Sequence, residues 1–308
     1  MYKLLMILGL VLGSCSKDDE NPKSGELKTN GEPTSSDASG QEEPVQATTQ
    51  TPEAPGHWIF SVPFRKIDAG SFQMGSPDGG KKYGQSDEGP VPVTITKAFE
   101  IMEKELTQKQ WFLLKKKNPS EFKESGDCHN YEIIEGVEMC PNHPVERVSW
   151  DDVQDYIREL NTELGLTGCD GTPNSKRGCY RLPTEAEWEW AVKGKTTTAY
   201  FFSDDPANLG KYAHYGRNSG GKTHEVGRLK ANRNGLYDVY GNVWEWVQDK
   251  WIKELPGGRD PLNKSGSYPV LRGGGWINRA QYLRSANRYN YYPDLRHFNI
   301  GFRLVRTL

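Results

Sequence analysis

Asp238-Val239-Tyr240-Gly241-Asn242-Val243-Trp244-Glu245 places two carboxylates seven residues apart around a glycine turn. A loop of this kind can aim Asp and Glu oxygens, with backbone carbonyls, at one point. Hard cations such as Ca²⁺ take such all-oxygen surroundings. From spacing alone the simpler reading holds, in which Asp238 caps a turn and Glu245 pairs with an arginine.

A second stretch, Val270 to Arg306, opens with Gly273-Gly274-Gly275 and continues dense in arginine, asparagine and tyrosine. It lacks the marks of common catalytic centres. No cysteine follows Cys179, and the six histidines (57, 129, 143, 214, 224 and 297) show neither HxH nor HxxxH spacing. There is no GxSxG nucleophile motif and no phosphate-binding glycine loop. A formal net charge of −2 gives no argument for nucleic acid.

The cysteines suggest an exported chain. Besides Cys15 there are four: Cys128, Cys140, Cys169 and Cys179. Four cysteines allow three pairings. The local one, Cys128–Cys140 with Cys169–Cys179, closes two short loops and is the expected one. Neither pair has the close CxxC spacing of a structural zinc site.

Three helices are predicted to position these groups. Thr107-Gln108-Lys109-Gln110 reads as a capping box, with Trp111 and Leu114 on one face. Ser149 starts a second helix, in which Val153, Tyr156, Ile157, Leu160 and Leu164 keep helical spacing and Gly165 is the stop. Thr184 starts a third after Pro183, ending at Gly194. Short β segments dominate elsewhere: IDAGSFQMGS, VPVTITKAFEIM, YPVLRGG and IGFRLVR. With 33 Gly, nine Trp and fifteen Tyr, the composition suggests an irregular, loop-rich α+β domain.

The N-terminus reads as a targeting segment over residues 1–14. A short basic start, MYK, precedes the apolar run LLMILGLVL, too short to span a membrane. Leu12-Gly13-Ser14-Cys15 resembles the lipobox of bacterial lipoproteins, which implies acylation at Cys15 and stable anchoring. Residues 15–57 read as the lipidated Cys and a disordered acidic tether, leaving 58–308 as the domain. Ser16 to Gly56 holds nine acidic and three basic residues and no Phe, Trp, Tyr or Ile. Ser16-Lys17-Asp18-Asp19-Glu20 also resembles acidic surface-export signals of some lipoproteins. The expected location is the bacterial cell envelope, at the outer membrane and facing outward.

The landmarks form an ordered set: AGSFQMGS (69–76), KAFEIMEKELTQKQW (97–111), HPVERVSWDDVQDYIRELN (143–161), YRLPTEAEWEWA (180–191), NGLYDVYGNVWEWVQD (234–249), LRGGGW (271–276) and NIGFRLVR (299–306). Together they resemble the formylglycine-generating enzyme family, also called the sulfatase-modifying-factor family, across nearly all of residues 60–306. The resemblance implies a single α+β domain, an elaborated C-type-lectin-like fold with little regular structure. It also implies a structural calcium held by side chains at Asp238 and Glu245 and carbonyls at Gly241 and Val243. A second family calcium begins at the pair matching Asn208-Leu209, but its other ligands find no counterpart.

In the family's oxidases, two cysteines after the Gly-Gly strand bind copper(I), for which soft thiolates are suited. Here the first position falls near Asn278 and the second within Arg279–Leu283, and neither holds Cys. Copper is therefore not expected. An iron branch of the superfamily uses histidines in an added N-terminal helical domain, where this chain reads as tether. The resemblance places Arg284, Arg288 and Arg303 in a framework that neutralises carboxylates such as Glu185, Glu187 and Glu245. It leaves Trp244, Trp276, Asn278, Arg279 and Gln281 to line a groove suited to an extended peptide or a glycan. The expected protein is an anchored binding or assembly lipoprotein, with an envelope protein or glycan as partner. Similar domains in lipoproteins of secretion and gliding machineries support that by analogy. The alternative is a protein-modifying oxidoreductase with a non-standard centre in the same groove.

Overall fold

The computed structural model describes residues 57–308 except 79, 81, 83 and 84. The signal segment, Cys15 and nearly all of the tether lie outside the described residues. Three α-helices sit where their caps predict. α1 (Gln108–Lys115) is capped by Thr107, whose hydroxyl accepts from the Gln110 N–H while the Gln110 side chain accepts from the Thr107 N–H. α2 (Trp150–Glu163) repeats the box with Ser149 and Asp152, and α3 (Glu185–Lys193) repeats it with Thr184 and Glu187. Each satisfies helix-end N–H groups that would otherwise lack partners. Gly194 ends α3 in the left-handed conformation.

The strands are short. One sheet orders β1 (Phe64–Ile67), β4 (Phe99–Met102), β13 (Val305–Thr307) and β7 (Tyr180–Arg181). The C-terminal strand thus lies between strands from the first and middle thirds of the domain. A second sheet orders β11 (Tyr289–Asn290), β10 (Pro269–Arg272), β8 (Trp244–Lys250) and β12 (Ile300–Gly301). β10 runs antiparallel to β8, and β12 runs parallel to it. β2 (Gly70–Met74), β3 (Val91–Ile95) and β9 (Gly258–Arg259) form a third sheet, and β5 (Glu132–Ile134) with β6 (Val137–Met139) form a hairpin. This is the expected α+β architecture.

Two apolar clusters hold these pieces together. One packs Trp188 and Trp190 of α3 with Phe99, Tyr240 and Val247. The other packs Trp111, Tyr156, Trp246 and Phe302. Trp111 stacks on Tyr156 with centroids 4.9 Å apart. The tryptophans supply apolar area that short strands cannot. Among the described residues, no helix is long and apolar enough to cross a membrane.

Candidate functional site

β8 begins at Trp244, so the turn Asp238–Val243 delivers the chain into the centre of the second sheet. Asp238 and Asn242 adopt positive φ values of 53° and 50°. Gly241 has φ 78°, and a Cβ there would sit 2.1 Å from the His214 carbonyl oxygen, so only glycine fits. The turn is buried. Asp238 Oδ2 accepts from the Gly227 N–H at 2.5 Å, while Oδ1 is buried without a partner. Burial pushes the Asp238 carboxyl up to about 6.

Glu105, which spacing did not single out, joins this turn. Its carboxylate accepts from the Val243 N–H at 3.1 Å and the Asn242 amide at 2.6 Å. Burial, then the nearby Asp238 and Glu245 charges, raise its pKa well above the usual range. Glu245 is held bidentately by Arg303, at 2.8 and 2.7 Å, and its Oε2 also accepts from the Trp188 indole. Three carboxylates thus share one guanidinium. The orphaned Asp238 oxygen could meet a cation, but the Asp238, Glu105 and Glu245 oxygens do not all lie within 4.8 Å of one another. Glu245, committed to Arg303 and Trp188, reaches an ion only by sharing or exchanging those partners.

The arginines of the second stretch divide into inward and outward sets. Arg288 meets Glu185 bidentately at 2.6 and 2.9 Å. Arg272 pairs with Glu189, and Arg284 with Glu88. Glu187, expected to serve this stretch, instead binds Arg181. All these groups are buried, so the guanidinium forks neutralise carboxylates that water does not reach.

The groove predicted along this stretch is only partly assembled. Trp244 and Asn278 line a cavity of about 380 Å³ together with Tyr282, Tyr289, Tyr291 and His297. Trp276 is only 8% exposed and packs on Phe122 and Phe298, with centroids 5.5 and 5.6 Å away. Arg279 lines a neighbouring depression with Arg217 and Ile277. Gln281 is exposed on the 3₁₀ turn Ala280–Leu283. Asn278, at the first copper position of the oxidases, is used as a turn residue: its side-chain oxygen accepts from the Gly275 N–H at 2.8 Å. The tyrosines and His297 stand in the stretch Val270 to Arg306, but that they line one cavity was not legible there.

Both expected disulfides are present, Cys128–Cys140 and Cys169–Cys179. Histidines scattered in sequence are brought together. His214 and His224 stack with centroids 3.9 Å apart, and both His214 ring nitrogens are buried without partners. Burial, then the neighbouring His224, lowers His214 to about 4. Parallel stacked rings direct their lone pairs side by side, so this pair does not converge on one ion. Asn208 lies in the 3₁₀ segment Pro206–Lys211, exposed, with no acidic cluster assembled on it among the described residues.

Known proteins carry the same arrangement of elements. Residues 64–308 match the sulfatase-modifying factor enzyme 1-like domain. In structure the chain is similar to Treponema denticola variable protein 1, with a TM-score of 0.67 and 34% identity over 80% of this chain and 95% of that one. In sequence it is 30% identical to the chaperone protein LppX of Paenibacillus barcinonensis, over 65% of this chain and 76% of that protein. It is 32% identical to the formylglycine-generating enzyme of Streptomyces coelicolor, over 53% of this chain, and spans about half (52%) of that enzyme's length. The fold is the elaborated C-type-lectin-like fold of that enzyme type. On these grounds the chain belongs to the sulfatase-modifying factor family.

Proposed function

We propose that this protein is a lipid-anchored binding member of the family rather than a copper oxidase. Its ligand, an envelope protein or glycan, docks on the face around Trp244, Asn278 and Tyr289. One observation carries the reading. Among the described residues, every exposed large apolar or aromatic side chain lies between 268 and 292, save Ile133 and the terminal Leu308. Ile277, Tyr289 and Tyr292 are each more than half exposed. Burying such groups is the ordinary way to lower free energy, so the exposed Tyr268, Tyr289 and Tyr292, linked ring to ring through Tyr291, mark an interaction surface. Tyrosine with asparagine and arginine provides amphipathic contact area at small entropic cost, the composition of antibody-like binding surfaces. Similarity to a protein named a chaperone supports binding over oxidation.

Calcium completes the scaffold in this proposal. Asp238 and Glu245 supply side-chain oxygens and Gly241 and Val243 supply carbonyls. The ion takes the place of protons that the buried carboxylates otherwise retain. Acylation at Cys15 holds the domain at the outer membrane, facing outward.

Binding of the purified full chain to arrays of envelope proteins and surface glycans tests the face. Tyr289→Ala and Tyr291→Ala should weaken any specific association at least about tenfold, as hot-spot aromatic losses do. Equal retention by both variants would reject the face. A sulfatase-type cysteine peptide, incubated with copper-loaded protein under O₂, should remain unmodified, and formylglycine in the mass spectrum would reject the non-oxidase reading. Cys15→Ala should abolish lipid labelling, and unchanged labelling would remove the anchor.

A further inference from the structure

The Cys128–Cys140 disulfide has an unusual neighbour. A ring nitrogen of His143 and both sulfurs lie within 4.8 Å of one another, the only such group of three His, Cys, Asp or Glu ligands among the described residues. Cys140 and His143 are buried. They share a tight turn, in which the His143 N–H donates to the Cys140 carbonyl at 2.9 Å. His143 also pairs through Nδ1 with the Thr223 hydroxyl at 3.1 Å. Neither the carboxylate turn nor the tyrosine face makes use of this imidazole.

We propose that Cys128, Cys140 and His143 form a redox-gated site for a thiophilic divalent cation, with zinc the closest match. In the oxidised protein the sulfurs are joined and offer no thiolate. A dithiol reductant transfers two electrons and two protons to the disulfide, breaking the S–S bond and closing its own. The metal then displaces one proton from each thiol and takes two thiolates and one imidazole, with water in the fourth position. Thiolate and imidazole are the ligands zinc prefers, and an open fourth position is ordinary for a three-ligand site.

The distances permit the exchange. Tetrahedral zinc with ordinary Zn–S and Zn–N bonds holds its sulfurs about 3.8 Å apart and sulfur about 3.6 Å from nitrogen. The Cα atoms of Cys128 and Cys140 are 5.8 Å apart, so rotation about the side-chain bonds suffices to part the sulfurs. Two of the ligands stay in place without the disulfide. The Cys140 N–H donates to Gln108 Oε1 at 2.9 Å, and the His143 carbonyl accepts from the Gln108 N–H at 3.0 Å. Both anchors belong to α1, outside the disulfide loop.

The electrostatics are consistent. His143 is buried, with His224, Lys222 and His214 nearby. The Thr223 hydroxyl occupies Nδ1, which leaves Nε2 as the nitrogen for the metal, and outer partners of this kind fix the rings of metal-bound histidines. Lys222 opposes a bare cation but favours thiolates. Two thiolates cancel the metal's charge, so the assembled site is neutral.

Such a site keeps the loop clasped in either redox state. Gln108 Nε2 donates to the Phe122 carbonyl at 2.8 Å, and the Phe122 ring packs on Trp276 beneath the tyrosine face. The sequence argued against zinc because CxxC spacing was missing; that reading left out the local Cys140-x-x-His143 spacing, which Cys128 joins from 12 residues away.

Cobalt(II) titration of the full chain on a Cys15→Ala background, reduced with a phosphine under nitrogen, tests the proposal. The expected result is a thiolate-to-cobalt charge-transfer band at one ion per chain, displaced by zinc and absent from the oxidised protein. Cys169→Ser with Cys179→Ser should retain the band. Cys128→Ser should abolish it, and His143→Ala should weaken cobalt binding at least tenfold. A reduced chain without the band overturns the proposal, even where a variant fails to fold. So does a band that survives His143→Ala undiminished, or one that is lost with Cys169 and Cys179 but kept without Cys128.

Discussion

Arg288 and Tyr289 are adjacent and face opposite worlds. Arg288 is 3% exposed and clamps Glu185, while Tyr289 is 51% exposed beside Trp244. The contrast extends along the whole stretch. Arg272, Arg284, Arg288 and Arg303 turn inward to carboxylates, whereas Ile277, Tyr282, Tyr289 and Tyr292 turn outward. A framework locked by buried charge pairs leaves the outward side chains free to vary without cost to the fold. This is how one short segment serves as both scaffold and contact surface.

The sharpest way to break the comparison is to remove one clamp. Arg288→Met leaves Glu185 in the core with only the Arg272 Nε, 3.4 Å away, as a cation. Loss of one partner of a buried pair costs about 3–5 kcal/mol. Chemical unfolding should show that loss; a change below about 1 kcal/mol would mean that the pair is dispensable.

The next effect concerns the covalent clasps. Cys169→Ser with Cys179→Ser should cost about 3 kcal/mol, as expected for a short closed loop. Non-reducing peptide mapping of the native chain should find Cys169–Cys179 and Cys128–Cys140, and crossed pairs would refute the connectivity.

Calcium should act on the scaffold side. At free ion about one hundred times Kd, binding stabilises by about 2.7 kcal/mol. EDTA should therefore lower the melting temperature and Ca²⁺ restore it, with Glu245→Gln blunting the response. A melting curve indifferent to both reagents would remove the ion.

A smaller effect is expected with pH. Glu146 is buried, accepts from the Glu121 and Phe122 N–H groups, and leaves Oε2 without a partner. Burial raises its pKa from 4.5 to about 8. The folded state thus holds a proton that the unfolded chain releases. The stability this proton contributes is fully present below about 4.5 and is lost as pH rises through about 8. Between pH 6 and 9 the native chain should lose melting temperature faster than Glu146→Gln, which keeps an acceptor oxygen. Parallel curves would show that Glu146 does not titrate in this range.

Tyr289→Ala should have the least effect on folding, within about 0.5 kcal/mol, as surface substitutions usually do. Its effect belongs to ligand binding, and a large stability loss would erase the distinction between the two neighbours.

What could be read from the sequence was local. The three capping boxes and the Gly194 stop each depend on interactions within a few residues, and each stands where its residues predict. The cysteine pairs, separated by 12 and 10 residues, belong to the same class. The ordered tryptophan-rich motifs identified the family for a related reason, since long runs rarely recur by chance.

Tertiary structure decided the partners. Arg284 meets Glu88 across 196 residues, and Glu105 reaches Asn242 across 137. Nothing in residue type selects Glu88 over Glu185 for Arg284. A charge or imidazole takes whichever partner the packed elements bring within a few ångströms. That proximity is set by where the strands and helices bury their apolar faces. The same packing determines which tyrosines face water, because β11 pairs with β10 at the edge of its sheet and leaves Tyr289 uncovered. The sequence therefore determined the elements and the family, while the folded chain decided which of its polar groups became framework and which became surface.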